Sequence, residues 1–258
     1  MMNFPFDQFQ LNKRVALITG GAGGLGKVFA RALAGAGASV ALVGRRLDVV
    51  QAEAKAVSDE TGKPVIGVSA DVTDQAQVQN AVNQVIDQLG HVDILVNNAG
   101  INIRKPSTEF PLEEFKRVMD VSLTGSFICS QICAPHMISQ GWGRVVNLSS
   151  MLGQVGLGER PAYTAAKGAL IQLTRTLALE WSKHGVNVNA LAPGPFLTDL
   201  NLTLSSNPTV NQFFLDRLPI GRWGKPEELG SAILFLCSDA SSFMTGNVLT
   251  IDGGWTAQ

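Results

Sequence analysis

Seven short apolar runs punctuate the chain: RVALIT at 14–19, SVALVG at 39–44, PVIGVSA at 64–70, VDILVN at 92–97, RVVNLS at 144–149, VNVNALA at 186–192 and NVLTID at 247–252. Each is short and mostly apolar, which suits a strand buried on both faces. The segments between them repeat apolar residues at helical intervals: Val28, Leu33 and Ala34 in one, Val78, Val82, Val85 and Ile86 in another, Ile233, Leu234 and Cys237 near the end. Asp74 stands three residues before Gln77, and Pro226 is followed by Glu227 and Glu228. Both patterns mark the start of a helix, where a capping carboxylate, proline and acidic residues are favoured. Strand and helix therefore alternate throughout. That order predicts an α/β fold with a parallel sheet, helices on both faces and right-handed crossovers.

No repeat, low-complexity tract or linker interrupts residues 1–258, so one domain is expected. Apolar residues make up 45% and charged residues 16%, ample material for a core. A net charge of −1 without any Lys/Arg-rich run argues against nucleic-acid and polybasic membrane partners. The opening MMNFPFDQFQLNKR lacks the charged start and long apolar stretch of a leader, and no later segment offers ~18 uninterrupted apolar residues. A cytoplasmic location is expected. Cys129, Cys133 and Cys237 are too few for a secreted disulfide framework and read as buried thiols, and His91, His136 and His184 show no metal-ligand spacing. No metal is expected.

The first apolar run leads directly into TGGAGGLG at 19–26 and then into the helical KVFARALAGAG. Glycine lets a backbone turn tightly and approach a phosphate, while the following helix presents its amino end to the anion. Placement between strand and helix is what makes this cluster a candidate pyrophosphate cradle. The second run ends VGRR, with Arg45 and Arg46 where an acid usually holds the free ribose hydroxyls of the unphosphorylated dinucleotide. Arginine instead offers a 2′-phosphate a forked set of donors, so NADP(H) is the expected cofactor. The competing reading is a solvated pair closing a strand. ADV at 70–72, NNAG at 97–100 and PGPFLT at 193–198 each follow a run, and strand carboxyl ends are where ligands gather in open α/β sheets.

These motifs, with Ser150 and Tyr163-Thr-Ala-Ala-Lys167 thirteen positions after it, carry a resemblance from Arg14 to the DGGW at 252–255. The chain resembles a compact short-chain dehydrogenase/reductase. The resemblance implies a single Rossmann-type doubly wound sheet, a homotetramer, and hydride transfer between a nicotinamide and a carbonyl or alcohol. It also implies Gly20, Gly24, Leu25 and Gly26 against the pyrophosphate, Asp71 and Val72 near the adenine, and Asn98, Ala99 and Gly100 near a ribose. Pro193, Gly194 and Thr198 fall by the nicotinamide end. Tyr163 would protonate the carbonyl oxygen, Ser150 would hold it, and Lys167 would grip the nicotinamide ribose. Ser122 stands where family members usually carry an asparagine that holds a relay water, so its part in the proton path is open.

Tyr163 is the only tyrosine in the chain. A free phenol titrates near ~10, and a neighbouring ammonium lowers that value. Lys167, one helical turn on, is placed on the same face to supply one. The expected substrate is a sugar or sugar acid, by similarity to gluconate 5-dehydrogenase-like members. Arg104 and Lys105 are either an anion-attracting pair or solvated loop residues. Met151, Leu152, Gln154, Phe196, Leu200, Phe213, Phe214 and Trp223 are candidate pocket residues, and their apolar bias leaves a 3-oxoacyl thioester or hydrophobic ketone open. An alternative of another class, a nucleotide sensor with little turnover, has only Ser122 in its favour.

Overall fold

A computed structural model describes residues 5–257. All seven apolar runs are strands: β1 (Val15–Thr19), β2 (Ser39–Gly44), β3 (Val65–Ser69), β4 (Ile94–Asn97), β5 (Gly143–Leu148), β6 (Val186–Pro193) and β7 (Val248–Ile251). They pair in parallel in the order β3-β2-β1-β4-β5-β6-β7. The order reverses direction between β1 and β4, which opens a crevice at their carboxyl ends.

The pleat divides each strand between two cores, because successive side chains point to opposite faces. Ala16, Ile18, Val40, Leu42, Ile94 and Val96 meet helices α1 (Leu25–Gly35), α2 (Leu47–Thr61) and, near the chain's end, a helix at Gly230–Cys237. Val15, Leu17, Ala41, Val43 and Leu95 meet α3 (Gln75–Leu89) and two further helices on the other side. Those two are α5 (Gly125–Gln140), which continues from α4 (Leu112–Met119), and α6 (Pro161–Trp181). α7 (Asp199–Ser205) and α8 (Pro208–Leu215) lie beyond β6, and the Gly230–Cys237 helix is α9.

The local start signals take the form that physical chemistry gives them. Asp74 accepts from the N–H groups of Ala76 and Gln77 at the head of α3, and Glu228 accepts from Lys225 N–H before α9. Cys129, Cys133 and Cys237 are buried and unpaired.

Between α4 and α5 the helix widens into a π turn at Asp120–Thr124, which carries Ser122. Beneath it, a buried polar chain crosses the core. Asn97 and Asn147 are register partners on β4 and β5; the Asn97 amide donates to Asn147 Oδ1 and to Ser130 Oγ, both at 2.9 Å. Asn147 in turn donates to Thr174 Oγ1 on α6, also at 2.9 Å.

Candidate active site

β1 ends at Thr19, and the following loop turns through Gly20 and Gly24 with φ of +61° and +47°, conformations that a side chain would strain. A Cβ on Gly26 would run into the Gly20 carbonyl and the Asn98 amide. Asn98 donates its amide to the carbonyls of Thr19 and Gly20 at 2.9 and 3.0 Å. The N–H groups of Asn98 and Ala99 both donate to Thr19 Oγ1. Two neighbouring strand ends thus lock the loop into one shape, with the amino end of α1 behind it.

A cavity of about 330 Å³ covers this loop, lined by Gly20, Gly24, Leu25, Asn98, Ala99, Gly100, Pro193, Gly194, Phe196 and Thr198, and by Ser150, Tyr163 and Lys167. Gly194 must lack a side chain because a Cβ there would collide with the Asp252 backbone. A second cavity, of about 180 Å³, opens past Gly20 at the end of β2, lined by Gly44, Arg45, Asp71, Val72, Gly100 and Arg117.

Ser150 follows β5, and Tyr163 and Lys167 lie one turn apart on α6. Ser150 Oγ accepts from Leu152 N–H and is hydrogen-bonded to Tyr163. The Lys167 stem is buried at 3% exposure; its Nζ donates to the Leu148 carbonyl and lies 5.6 Å from the Tyr163 ring centre. Burial lowers the Lys167 pKa to about 8. Burial raises that of Tyr163, against the hydrogen bond with Ser150 and the positive charges of Arg104 and Arg160. Arg104 and Arg160 therefore join Lys167 as positive charges beside the phenol.

Ser122 is fully buried, and its hydroxyl has no hydrogen-bond partner among the described residues. A Cβ on Gly100 would sit 3.4 Å from both Ser122 Oγ and Lys167 Nζ, so Gly100 keeps clear the space between them. π turns inside helices are frequent at functional sites.

A family model described as enoyl-(acyl carrier protein) reductase matches residues 20–256. Gluconate 5-dehydrogenase of Gluconobacter oxydans is 39% identical over 255 residues, covering 99% of each chain. The 2-dehydro-3-deoxy-D-gluconate 5-dehydrogenase of Bacillus subtilis is 35% identical over 257 residues and the full length of both. The chain is a short-chain dehydrogenase/reductase. Among solved structures, gluconate 5-dehydrogenase from Burkholderia cenocepacia in complex with NADP and tartrate superposes with a TM-score of 0.95 at 38% identity, covering 99% of this chain and 100% of that one.

Family membership makes the protein an oxidoreductase, and the residues of this dehydrogenase/reductase fit a nicotinamide dinucleotide. The glycine loop faces its cavity with Gly20 and Gly24, which present backbone and no side chain, and the Arg45 guanidinium stands at the end of β2. The residues assigned to the cofactor line one of the two cavities apart from Arg46 and Gly26, while Ser122, Gln154 and the other described candidate pocket residues except Phe196 line neither. Arg46 precedes α2 and lines neither. Gly26 lies behind the loop. Gln154 turns away and donates to Thr250 Oγ1 at 2.8 Å. Trp223 joins an aromatic cluster with Phe214 and Trp255 and donates to Asn211.

Phe213 edges that same cluster, packed against Phe214 and Trp255. Met151, Leu152 and Phe214 line a third, smaller cavity of about 70 Å³ in front of Tyr163. The Leu200 side chain lies outside the described residues. Lys105 pairs outward with Glu114 at 2.8 Å, which leaves Arg104 as the inward member of that basic pair. Arg117, Arg160, Asn102 and Asn201 complete the walls without any motif to announce them.

Proposed function

We propose that the protein is an NADP(H)-dependent oxidoreductase that interconverts a ketone and a secondary alcohol on a sugar acid. The observation that carries the substrate class is Arg104. Its guanidinium reaches the cavity in front of Tyr163 and donates to Asn201 Oδ1, while its buried Nε has no partner among the described residues. A desolvated cation beside the reacting group favours an anionic substrate. Relatives named for gluconate and 2-dehydro-3-deoxy-D-gluconate support the same class.

Arg45, at the mouth of the second cavity, would hold the 2′-phosphate, with Asp71 and Val72 beside the adenine. Gly20, Gly24 and Leu25 would face the pyrophosphate, with Gly26 giving the loop its room. Asn98 would act by holding that loop, because its amide is engaged with Thr19 and Gly20. Ala99, Gly100, Pro193, Gly194 and Thr198 would border the nicotinamide half, with Phe196 as a wall of the pocket. When bound, the nicotinamide gives or accepts the hydride.

Ser150 would hold the substrate oxygen, and Tyr163 would give that oxygen a proton in reduction and take one in oxidation. The hydrogen bond from Ser150 and the two arginine charges stabilise the phenolate against the cost of burial. Lys167, with its pKa near 8, can exchange a proton close to neutrality. The route outward passes Ser122, whose hydroxyl faces the space kept by Gly100. A second reading, a hydrophobic ketone, draws on the apolar side of the small cavity at Met151, Leu152 and Phe214.

A homotetramer follows from the family resemblance and would cover exposed apolar residues such as Phe127, Leu179 and Phe243, and three buried thiols are in keeping with a cytoplasmic location. The test is turnover of NADP⁺ by purified protein with sugar acids, matched neutral polyols and hydrophobic alcohols. Preference for the acids is expected, and preference for hydrophobic alcohols would overturn the substrate class.

A further inference from the structure

Arg160 immediately precedes Pro161, the first residue of α6, and so sits at the positive end of that helix's dipole, an unfavourable place for a cation. It shares the cavity in front of Tyr163 with Arg104. Neither arginine enters an ion pair with any described residue. The one side-chain hydrogen bond of Arg160 among the described residues is local, from Nη1 to the Gly158 carbonyl at 2.8 Å.

Its placement is enforced from both sides. Glu159 adopts φ of +64°, a left-handed conformation that is uncommon outside glycine, and its carbonyl accepts from Lys105 N–H at 3.0 Å. That bond ties the turn carrying Arg160 to the loop carrying Arg104. Two guanidiniums are thereby brought together where burial and their mutual charge both disfavour them. Beside them, Asn102 Oδ1 is buried without a partner among the described residues, an acceptor suited to a hydroxyl.

We propose that Arg160 is the specificity-determining residue of this site: with Arg104 it forms a two-guanidinium clamp on the carboxylate of a hydroxylated acid, with Asn102 receiving a hydroxyl. The inference rests on the sugar-acid reading above and adds to it a residue outside the catalytic motif. A carboxylate has lone pairs enough for both guanidiniums, and an anion between them relieves their repulsion. A neutral polyol of the same length leaves that repulsion in place, so discrimination comes from the empty clamp as well as from the filled one.

The experiment compares wild type, Arg160→Gln and Arg160→Lys with NADP⁺ and either D-gluconate or the neutral six-carbon polyol glucitol. In the glutamine variant KM for gluconate should rise about tenfold or more, the scale of one lost charge-assisted hydrogen bond, with kcat falling less. The kcat/KM ratio of gluconate to glucitol should fall by a similar factor, and lysine should restore part of it. The pH at which kcat/KM reaches half its plateau should move upward in Arg160→Gln, since one charge favouring the phenolate is gone. Thermal unfolding and NADPH binding verify that the variants are folded. An unchanged gluconate-to-glucitol ratio in Arg160→Gln overturns the clamp.

If wild type turns over ketones but no sugar acid, the proposed function fails separately. The clamp is then read from inhibition of ketone reduction by tartrate. A Ki raised about tenfold in Arg160→Gln sustains it. An equal Ki, or no inhibition of wild type, overturns it.

Discussion

Replacing Lys167 with methionine keeps a buried stem of similar length and removes the ammonium. In the wild type that group is 3% exposed, and burial holds its pKa at about 8 against an ordinary 10.5. At about 1.4 kcal/mol per pH unit, the interval between those values sets the cost of burying the charge at ~3 kcal/mol. Because the folded pKa is the lower one, the penalty is complete below pH 8, where folded and unfolded chains both carry the proton. It shrinks as the folded chain releases its proton above pH 8, and it vanishes above 10.5. Methionine avoids this penalty at every pH but leaves the Leu148 carbonyl without its donor, at ~1–3 kcal/mol independent of pH. Wild type and Lys167→Met should therefore have similar stability at pH 7, and wild type should gain most of ~3 kcal/mol on the variant by pH 10.5. Urea unfolding of the cofactor-free proteins across that range measures the difference directly. A stability gap that stays constant with pH would refute the reasoning, because the ammonium would then not be desolvated in the fold and its titration near neutrality would lose its physical basis.

Tyr163→Phe deletes a proton donor and little packing, so turnover should fall by ~10²–10⁴ while NADPH binding measured by fluorescence stays close to wild type; retained turnover would remove the phenol from the chemistry. Arg45→Asp should move the kcat/KM preference toward NADH by roughly tenfold or more, since it removes a donor and adds repulsion against the 2′-phosphate; equal efficiency of wild type with NADH and NADPH would contradict the assignment. Ser122→Asn restores an amide beside Lys167 and should keep or raise turnover. An inert Ser122→Ala together with a crippled Ser122→Asn, each measured with a solvent deuterium isotope effect, would exclude a proton route past this residue.

The strands were legible because their signal is local and redundant: each run is short and mostly apolar, as suits a sheet covered on both faces. The cavity-lining glycines and the Tyr163–Lys167 pair were legible for a related reason, since fixed spacing within one loop or one helix turn survives folding unchanged, whereas Ser150 came in through the family resemblance. Arg160 and Arg117 were not. They are ordinary charged residues in the sequence, and the tie between Lys105 N–H and the Glu159 carbonyl, with the packing of Ile101 and Ile103 on α6, brings Arg160 to Arg104 across more than fifty residues of chain. Gln154 went the other way: proximity to Ser150 in sequence suggested the pocket, but the short 3₁₀ turn at Met151–Gly153 swings it toward Thr250. The two arginine charges beside Tyr163 were likewise hidden, because a four-residue spacing places Lys167 on the same face as the phenol but says nothing of cations brought in by other loops.

The paired amides of Asn97 and Asn147 fix the alignment of β4 and β5 in the folded sheet. Parallel strands of valine, isoleucine and leucine offer little to distinguish one alignment from the next, and β4 and β5 are such strands. Sliding one past the other by a single residue would face each amide with aliphatic side chains, and each stranded amide costs ~1–3 kcal/mol. The same slide would carry Ser150 ~3.3 Å along the strand direction relative to Asn98 and the loop it holds. The spacing between the nucleotide's seat and the serine that meets the reacting oxygen is therefore set deep inside the molecule, by two side chains that touch neither.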